Sequence, residues 1–466
     1  MSKVLLFCFA AGLSLVLCND KKYTPDWDSL DSRPLPTWYD GAKFGIFIHW
    51  GVFSVPSYSM TAWLWAYWKG WDNNKPIDDV VRFMEQNYPP DFTYADFAKD
   101  FTAEFYDPEE WADIFKAAGA QYVVFVSKHA EGFANWPSNY SFNWNSKDVG
   151  PNRDLVGELA NAIRKKTNIR FGLYYCISEW FHPLYMKDKA ANWSTDDFVM
   201  TKALPELYEM VNRYSPEVVW SDLCTGVGPD SYFKSKEFLA WLYNESPVKD
   251  TVVTNDRWCE DCFCKHGGYH TCTDEYNPGV LQNHKWENCM KIDRHAWGYR
   301  RTARLGELLT IHEIISNFAS TISCGGNLLM NIGPTKDGRI VPIFEERLRQ
   351  FGSWLKVNGE GAYNTTPWSY QKENGPPLIW YTMKKTPDEG TAVYAIMLAW
   401  PSDTVLTLET PIASANTRVS MLGYPENIEW ESGPSGKGIS ITVPVIPSNK
   451  MPCDWAWVWK ITFIQN

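Results

Sequence analysis

The chain has no excess of positive charge. Its 44 Lys and Arg face 55 Asp and Glu, a formal net charge of −11. That excludes a nucleic acid or an anionic bilayer as the main partner, since either would be repelled. The body of the chain has no long apolar run. The one such stretch, Val4 to Leu17, is too short for a spanning helix. It follows Met1-Ser2-Lys3 and precedes Asn19-Asp20-Lys21-Lys22, the layout of a signal peptide over 1–18 with cleavage after Cys18. The expected product has no membrane span and enters the secretory pathway, toward the lysosome or the extracellular space. Internal repeats and low-complexity segments are absent. So are a Ser-His-Asp order, a P-loop, a nucleotide fingerprint and a His-Glu-x-x-His zinc motif, and no metal or cofactor is called for.

What is abundant is aromatic. Aromatics make up 16% of the 466 residues, with 25 Trp, and hydrophobic residues 45%, the composition of a folded chain. Most of the indoles are expected to fill cores, and the rest to offer flat apolar faces to sugar rings. The length suits two domains, one of them large. Export also decides how the cysteines read. Outside the leader, nine remain, so a monomer leaves at least one unpaired. The cluster Cys259, Cys262, Cys264 and Cys272, with His266 and His270 between, resembles a zinc site, but an oxidising compartment favours disulfides. Sequons at Asn139, Asn192 and Asn364 fit export, while Asn244 is a weaker acceptor because Pro247 follows its Ser.

Short apolar strands alternate with amphipathic helices up to about residue 355. The expected strands are 44–48, 122–126, 170–175, 217–220, 251–254 and 328–332. Asp107-Pro108 and Asp154 open helices as caps. Strands that are apolar throughout imply a parallel sheet covered on both faces. The expected fold is α/β, a (β/α) TIM-like barrel over 19–360 followed by a C-terminal antiparallel β-sandwich over 361–466. A doubly wound open sheet is the alternative to the barrel. In the last strand, Trp455, Trp457, Trp459, Ile461 and Phe463 share one face by alternation. Barrel active sites form where strands end. The strand ends here carry His49, Lys128-His129, Glu179-Trp180, Asp222 and Asp256-Arg257-Trp258. Ionisable groups alternating with indoles describe a polar, aromatic-walled cleft, and paired carboxyls suit glycoside cleavage.

Several stretches then narrow the reading. Lys43 to Gly51, Val219-Trp220-Ser221-Asp222, Asn255 to Trp258, Pro278 to Cys289, Trp297 to Arg301 and Asn331 to Gly338 closely resemble the signatures of glycoside hydrolase family 29, the α-L-fucosidases of the animal lysosomal and secreted type. The resemblance implies a retaining hydrolase acting on fucosylated glycans, with Asp222 as nucleophile and Asp274 or Glu287 as acid/base. It implies substrate contacts from His49, His129, Arg257 and Trp63, and an apolar wall at Trp297. A homo-oligomer is compatible with it. The pattern departs at Ala62, where the family places Glu, at Ala130, where it places His, and at Leu223-Cys224-Thr225 after the nucleophile. Each lost hydrogen bond to a charged group costs roughly 1.5–3 kcal/mol. The departures therefore raise a second expectation, a fucosidase-derived glycan-binding protein with weak or no catalysis.

Overall fold

The computed structural model describes residues 22–71, 74–223, 228–388, 390–433 and 436–466. The proposed leader, Cys224 and Thr225 lie outside them. Seven strands form one parallel sheet: β1 Phe44–Ile48, β2 Tyr122–Lys128, β3 Arg170–Cys176, β4 Val218–Asp222, β5 Val253–Thr254, β6 Trp286–Lys291 and β7 Gly326–Ile332. Their order is β5-β4-β3-β2-β1-β7-β6. β1, β2, β5, β6 and β7 are buried at every residue, and Phe44 to Ile48 and Tyr122 to Val126 accordingly read as apolar runs without alternation. Helices cover the outside. The helix Pro108–Ala117 starts where Asp107 accepts from the Glu109 and Glu110 amides, and Leu155–Lys166 where Asp154 accepts from the Gly157 amide. The helix Ile311–Ser323 carries a Thr310/Glu313 capping box.

The sheet curls as a TIM-like barrel does. Backbone of the segment Gly268–His270 reaches both of its edge strands. The Gly268 amide donates to Thr254 O at the end of β5 (3.0 Å). On the other side the His270 amide donates to Lys285 O (2.8 Å), and the Glu287 amide of β6 donates to His270 O (2.9 Å). β6 itself was not among the expected strands. Its sequence, Trp-Glu-Asn-Cys-Met-Lys, is too polar for a buried strand until the barrel supplies partners for Glu287 and Asn288.

After the helix Pro342–Asn358 come β8 Thr366–Lys372, β9 Ile379–Thr386, β10 Gly390–Met397, β11 Val405–Leu408, β12 Ala413–Met421, β13 Trp430–Ser432, β14 Ile439–Thr442 and β15 Trp457–Ile464. They pair antiparallel in two sheets, β12-β15-β10-β9-β8 and β11-β14-β13. The alternation in β15 holds only in its middle. Trp457, Trp459 and Ile461 enter the core between the two sheets, and Val458 enters the core shared with the barrel. Trp455 has φ +70° and packs on the barrel core, while at the far end Phe463 has φ +56° and Ile464 takes the core position. The expectation of five residues on one face fails because the left-handed residues at both ends break the period of two. Both faces of this strand are covered, one by the second sheet and one by the barrel.

His270, whose backbone bridges the barrel edges, stacks its ring on His284 at 3.8 Å and 10°. Burial and the His284 ring bring its pKa down from 6.5 to about 4, against the opposing pull of Asp256 and Asp31. The unfolded chain therefore binds a proton here that the folded one does not, so acidification favours unfolding. Melting temperature should fall as pH drops from 6.5 toward about 4. His270→Phe, which keeps a stacked ring but cannot titrate, should flatten that slope in thermal unfolding scans. An unchanged slope would remove His270 as its source.

Candidate active site

At the C-terminal ends of the strands lies a cavity of about 190 Å³ lined by Phe47, His49, Trp63, His129, Tyr174, Trp220, Asp222, Leu223, Arg257, Asp274, Cys289 and Trp297. Drug-sized ligands occupy about 300–1,000 Å³, so this cavity has the scale of a single small ring. The strands deliver these side chains by alternation. Phe47 is in β1 and His49 follows it, Tyr174 lies in β3, Trp220 and Asp222 in β4, and Cys289 in β6.

His129 reaches the cavity through an irregularity. Tyr122, at the start of β2, donates to Glu287 inside the barrel (2.6 Å), so strict alternation would also turn Lys128 inward. Instead β2 slips by one residue against β3 between Val126 and Lys128. The bulge turns Lys128 outward, to Glu179 (2.5 Å) and Glu206 (3.7 Å), and lets His129 face the cavity. Glu179, a strand-end candidate, is thus spent on a buried ion pair. Lys202 joins the same cluster, and despite complete burial Lys202 and Lys128 bring the Glu206 pKa down to about 2.

Arg257 organises the acidic side. Its Nη1 donates to Asp222 Oδ1 (3.2 Å) and its Nη2 to Asp274 Oδ1 (2.8 Å). Burial opposes the guanidinium charge, but the two carboxylates outweigh it and hold its pKa well above the ordinary value. The Arg257 guanidinium lies 4.8 Å from the Trp220 ring centre. Tyr174 donates its hydroxyl to the other oxygen of Asp222 (2.8 Å) and stacks on Trp220 (5.5 Å, 24°). Asp222 is 16% exposed and Asp274 is 49% exposed. One carboxylate is seated in the wall and the other stands at the mouth.

The two histidines carry opposite electrostatics. His49 Nδ1 meets Asn331 Oδ1 at 2.6 Å, and since an amide oxygen only accepts, Nδ1 bears the proton and Nε2 is left as an acceptor. Burial, with His129 and Lys291 nearby, pushes its pKa well below 6.5 and keeps it neutral. His129 Nδ1 lies 3.4 Å from Glu131 Oε2. Burial works against its charge, but Glu131 prevails and raises its pKa.

Of the two acid/base candidates, the barrel brings only Asp274 to the cavity. Glu287 is completely buried one layer deeper. Its Oε2 accepts from Tyr39 and Tyr122 (2.6 Å each) and its Oε1 from Trp220 Nε1 (2.9 Å). Burial raises its pKa, and these donors pull against that rise. Ala62 and Ala130 are also completely buried, and the lining at those places comes from their neighbours Trp63 and His129. The two departures therefore leave the cavity side chains in place, and the expectation of a catalytically weakened binding protein gains no support.

Tyr174, Phe47, Cys289 and Asn331 were missed by the sequence reading. Tyr174 could have been found by counting alternate residues back from Cys176 at the strand end. The cysteine cluster pairs as Cys259–Cys262 and Cys264–Cys272. Cys264, His270 and Cys272 approach one another within 4.8 Å, but the disulfide consumes both thiols. Cys289, Cys324 and Cys453 are free thiols. Asn139, Asn192 and Asn364 are exposed, whereas Asn244 donates to Tyr23 O and Ala240 O. Among the described residues no helix is long and apolar enough to cross a membrane.

A family model described as alpha-L-fucosidase matches residues 14–360, and one described as alpha-L-fucosidase C-terminal domain matches 371–462. The chain is 57% identical to an alpha-L-fucosidase of Branchiostoma floridae, covering 97% of this chain and 99% of that one. It is 53% identical to the tissue alpha-L-fucosidase of Homo sapiens (99% and 96% covered) and 54% identical to the human plasma alpha-L-fucosidase (95% and 92%). Its fold is similar to the Thermotoga maritima alpha-fucosidase in complex with fucose, with TM-score 0.77 and 30% identity over 94% of this chain and 100% of that one. The same enzyme with a mechanism-based inhibitor gives TM-score 0.79 and 31% identity over 95% and 100%.

Replacing Glu287 by Ala would orphan three buried donors, each at a cost of about 1–3 kcal/mol. Glu287→Ala should therefore lower the unfolding free energy by several kcal/mol, measured by urea denaturation. A mutant as stable as the parent would show that the buried carboxylate does not hold the barrel interior.

Proposed function

Because the chain belongs to the α-L-fucosidase family, we propose that it is a retaining α-L-fucosidase that releases terminal α-L-fucose from glycoproteins, glycolipids or oligosaccharides. The observation that carries this reading is the pair Asp222 and Asp274 held on adjacent nitrogens of one guanidinium. Neighbouring carboxylates suit the retaining geometry, at about 5–5.5 Å, rather than the inverting one at about 6.5–9.5 Å, which must admit a water.

In the first step Asp222 attacks the anomeric carbon as the glycosidic C–O bond breaks, and Asp274 gives its proton to the leaving oxygen. Asp222 is then an uncharged ester, and Arg257 is left facing Asp274 alone. Asp274, having given up its proton, then takes one from water as the water attacks the anomeric carbon and frees Asp222. Neutral His49 accepts a hydrogen bond from a sugar hydroxyl at Nε2, and His129 donates one. Phe47, Leu223, Trp63 and Trp297 give the ring and the C6 methyl an apolar wall. The leader and the exposed sequons Asn139, Asn192 and Asn364 support a glycoprotein of the secretory pathway.

Asp222→Ala should abolish turnover of an aryl α-L-fucoside without unfolding, and added azide should partly restore it with inverted product. Full activity without azide would rule out the nucleophile role. Asp274→Ala should keep far more activity on aryl fucosides with good leaving groups than on glycans, since only the latter need protonation. Equal losses on both, measured by kcat/KM across a leaving-group series, would reject Asp274 as the acid/base.

A further inference from the structure

Asp256 was expected in the cleft by its place after β5, yet it does not line the cavity. It is completely buried behind the wall, beside the segment that bridges the barrel edges. Its Oδ2 accepts from the amides of Cys264 (2.8 Å) and Cys272 (3.0 Å), the two residues joined by a disulfide. Its Oδ1 accepts from the Thr271 amide (2.9 Å) and the Thr271 hydroxyl (2.6 Å). That last bond sets a direction. A carboxylate can only accept, so the Thr271 hydroxyl must donate toward Asp256 and turns its lone pairs to Arg257, whose Nε–H donates to it at 2.9 Å. Arg257 in turn spends Nη1 on Asp222 and Nη2 on Asp274. Two residues beyond Cys272 the same chain carries Asp274.

We propose that Asp256 is a positioning residue for the fucosidase reaction, acting through the Thr271 hydroxyl to set the angle of Arg257 and through the Cys264 and Cys272 amides to set the height of Asp274. It touches no substrate. Its effect reaches the chemistry along the line Asp256, Thr271, Arg257, and ends on the carboxylate pair. The proposal rests on the reading of Asp222 and Asp274 as the catalytic pair.

The test uses the whole chain with Asp256→Asn, Thr271→Val, Thr271→Ser and the double variant Asp256→Asn/Thr271→Val. It reads kcat and KM on aryl α-L-fucosides of graded leaving-group ability, with melting temperature as a separate record of folding. Asp256→Asn and Thr271→Val should each lower kcat by about 10- to 100-fold, the size of a lost hydrogen bond to a charged group, and more steeply for poor leaving groups. Thr271→Ser keeps the hydroxyl and should restore kcat. Because both single variants cut one line, the double variant should be no slower than the slower single. Additive losses, a Thr271→Ser variant as slow as Thr271→Val, or an Asp256→Asn variant with parental kcat would each overturn the proposal. Should Asp256→Asn fail to fold, the contrast between Thr271→Val and Thr271→Ser decides alone. Failure of the Asp274 assignment is read separately, from Asp274→Ala. If that variant shows no leaving-group dependence the acid/base reading falls, while non-additivity of Asp256 and Thr271 still reports the line to Arg257.

Discussion

One buried guanidinium holds this site together. Arg257 joins a carboxyl group on the barrel wall, Asp222, to one at the cavity mouth, Asp274, and its charge lies between them. A like-charge pair alone would drive one member to take up a proton. The guanidinium is itself held from behind by Thr271 and from below by the face of Trp220.

The layer beneath explains why that arrangement is rigid. Glu287 gathers Tyr39, Tyr122 and the indole N–H of Trp220 in the barrel interior. Trp220 thereby has one edge tied to a buried carboxylate while its face supports Arg257 and stacks with Tyr174, which holds Asp222. A buried carboxylate would be costly without these partners, and the partners would be orphaned without it. A carboxylate that conspicuous in the sequence thus lies beneath the floor of the cavity and does not line it.

Much was legible in the sequence. The apolar strands β1, β2 and β3, the Asp107 and Asp154 caps, the pairing of a cysteine cluster and the convergence of His49, His129, Asp222 and Arg257 all follow from short-range patterns. Other features were not. β6 looks too polar for a barrel strand because Glu287 and Asn288 find their partners on distant segments. Glu179 and Asp256 carry the same strand-end signature as Asp222, yet one turns outward to Lys128 and the other supports a loop. Tyr174 looks like any aromatic in an apolar strand. The Trp-rich final strand loses its single face at both ends, where Trp455 and Phe463 adopt left-handed backbone.

The division has a physical cause. Periodicity, capping and the chemical type of a side chain are properties of neighbours along the chain, so the sequence by itself determined a parallel α/β barrel, a following all-β part, and an acidic, aromatic cleft at the strand ends. Which carboxylate enters the cavity depends on register, and register is set between strands far apart in the chain. A one-residue slip between β2 and β3 puts His129 in the cavity and Lys128 behind it. The position of Glu287 at the start of β6 leaves it a layer too deep, while the bridging segment that closes on His270 carries Asp274 to the mouth. Only the folded barrel could decide these, because each is a statement about depth along its axis.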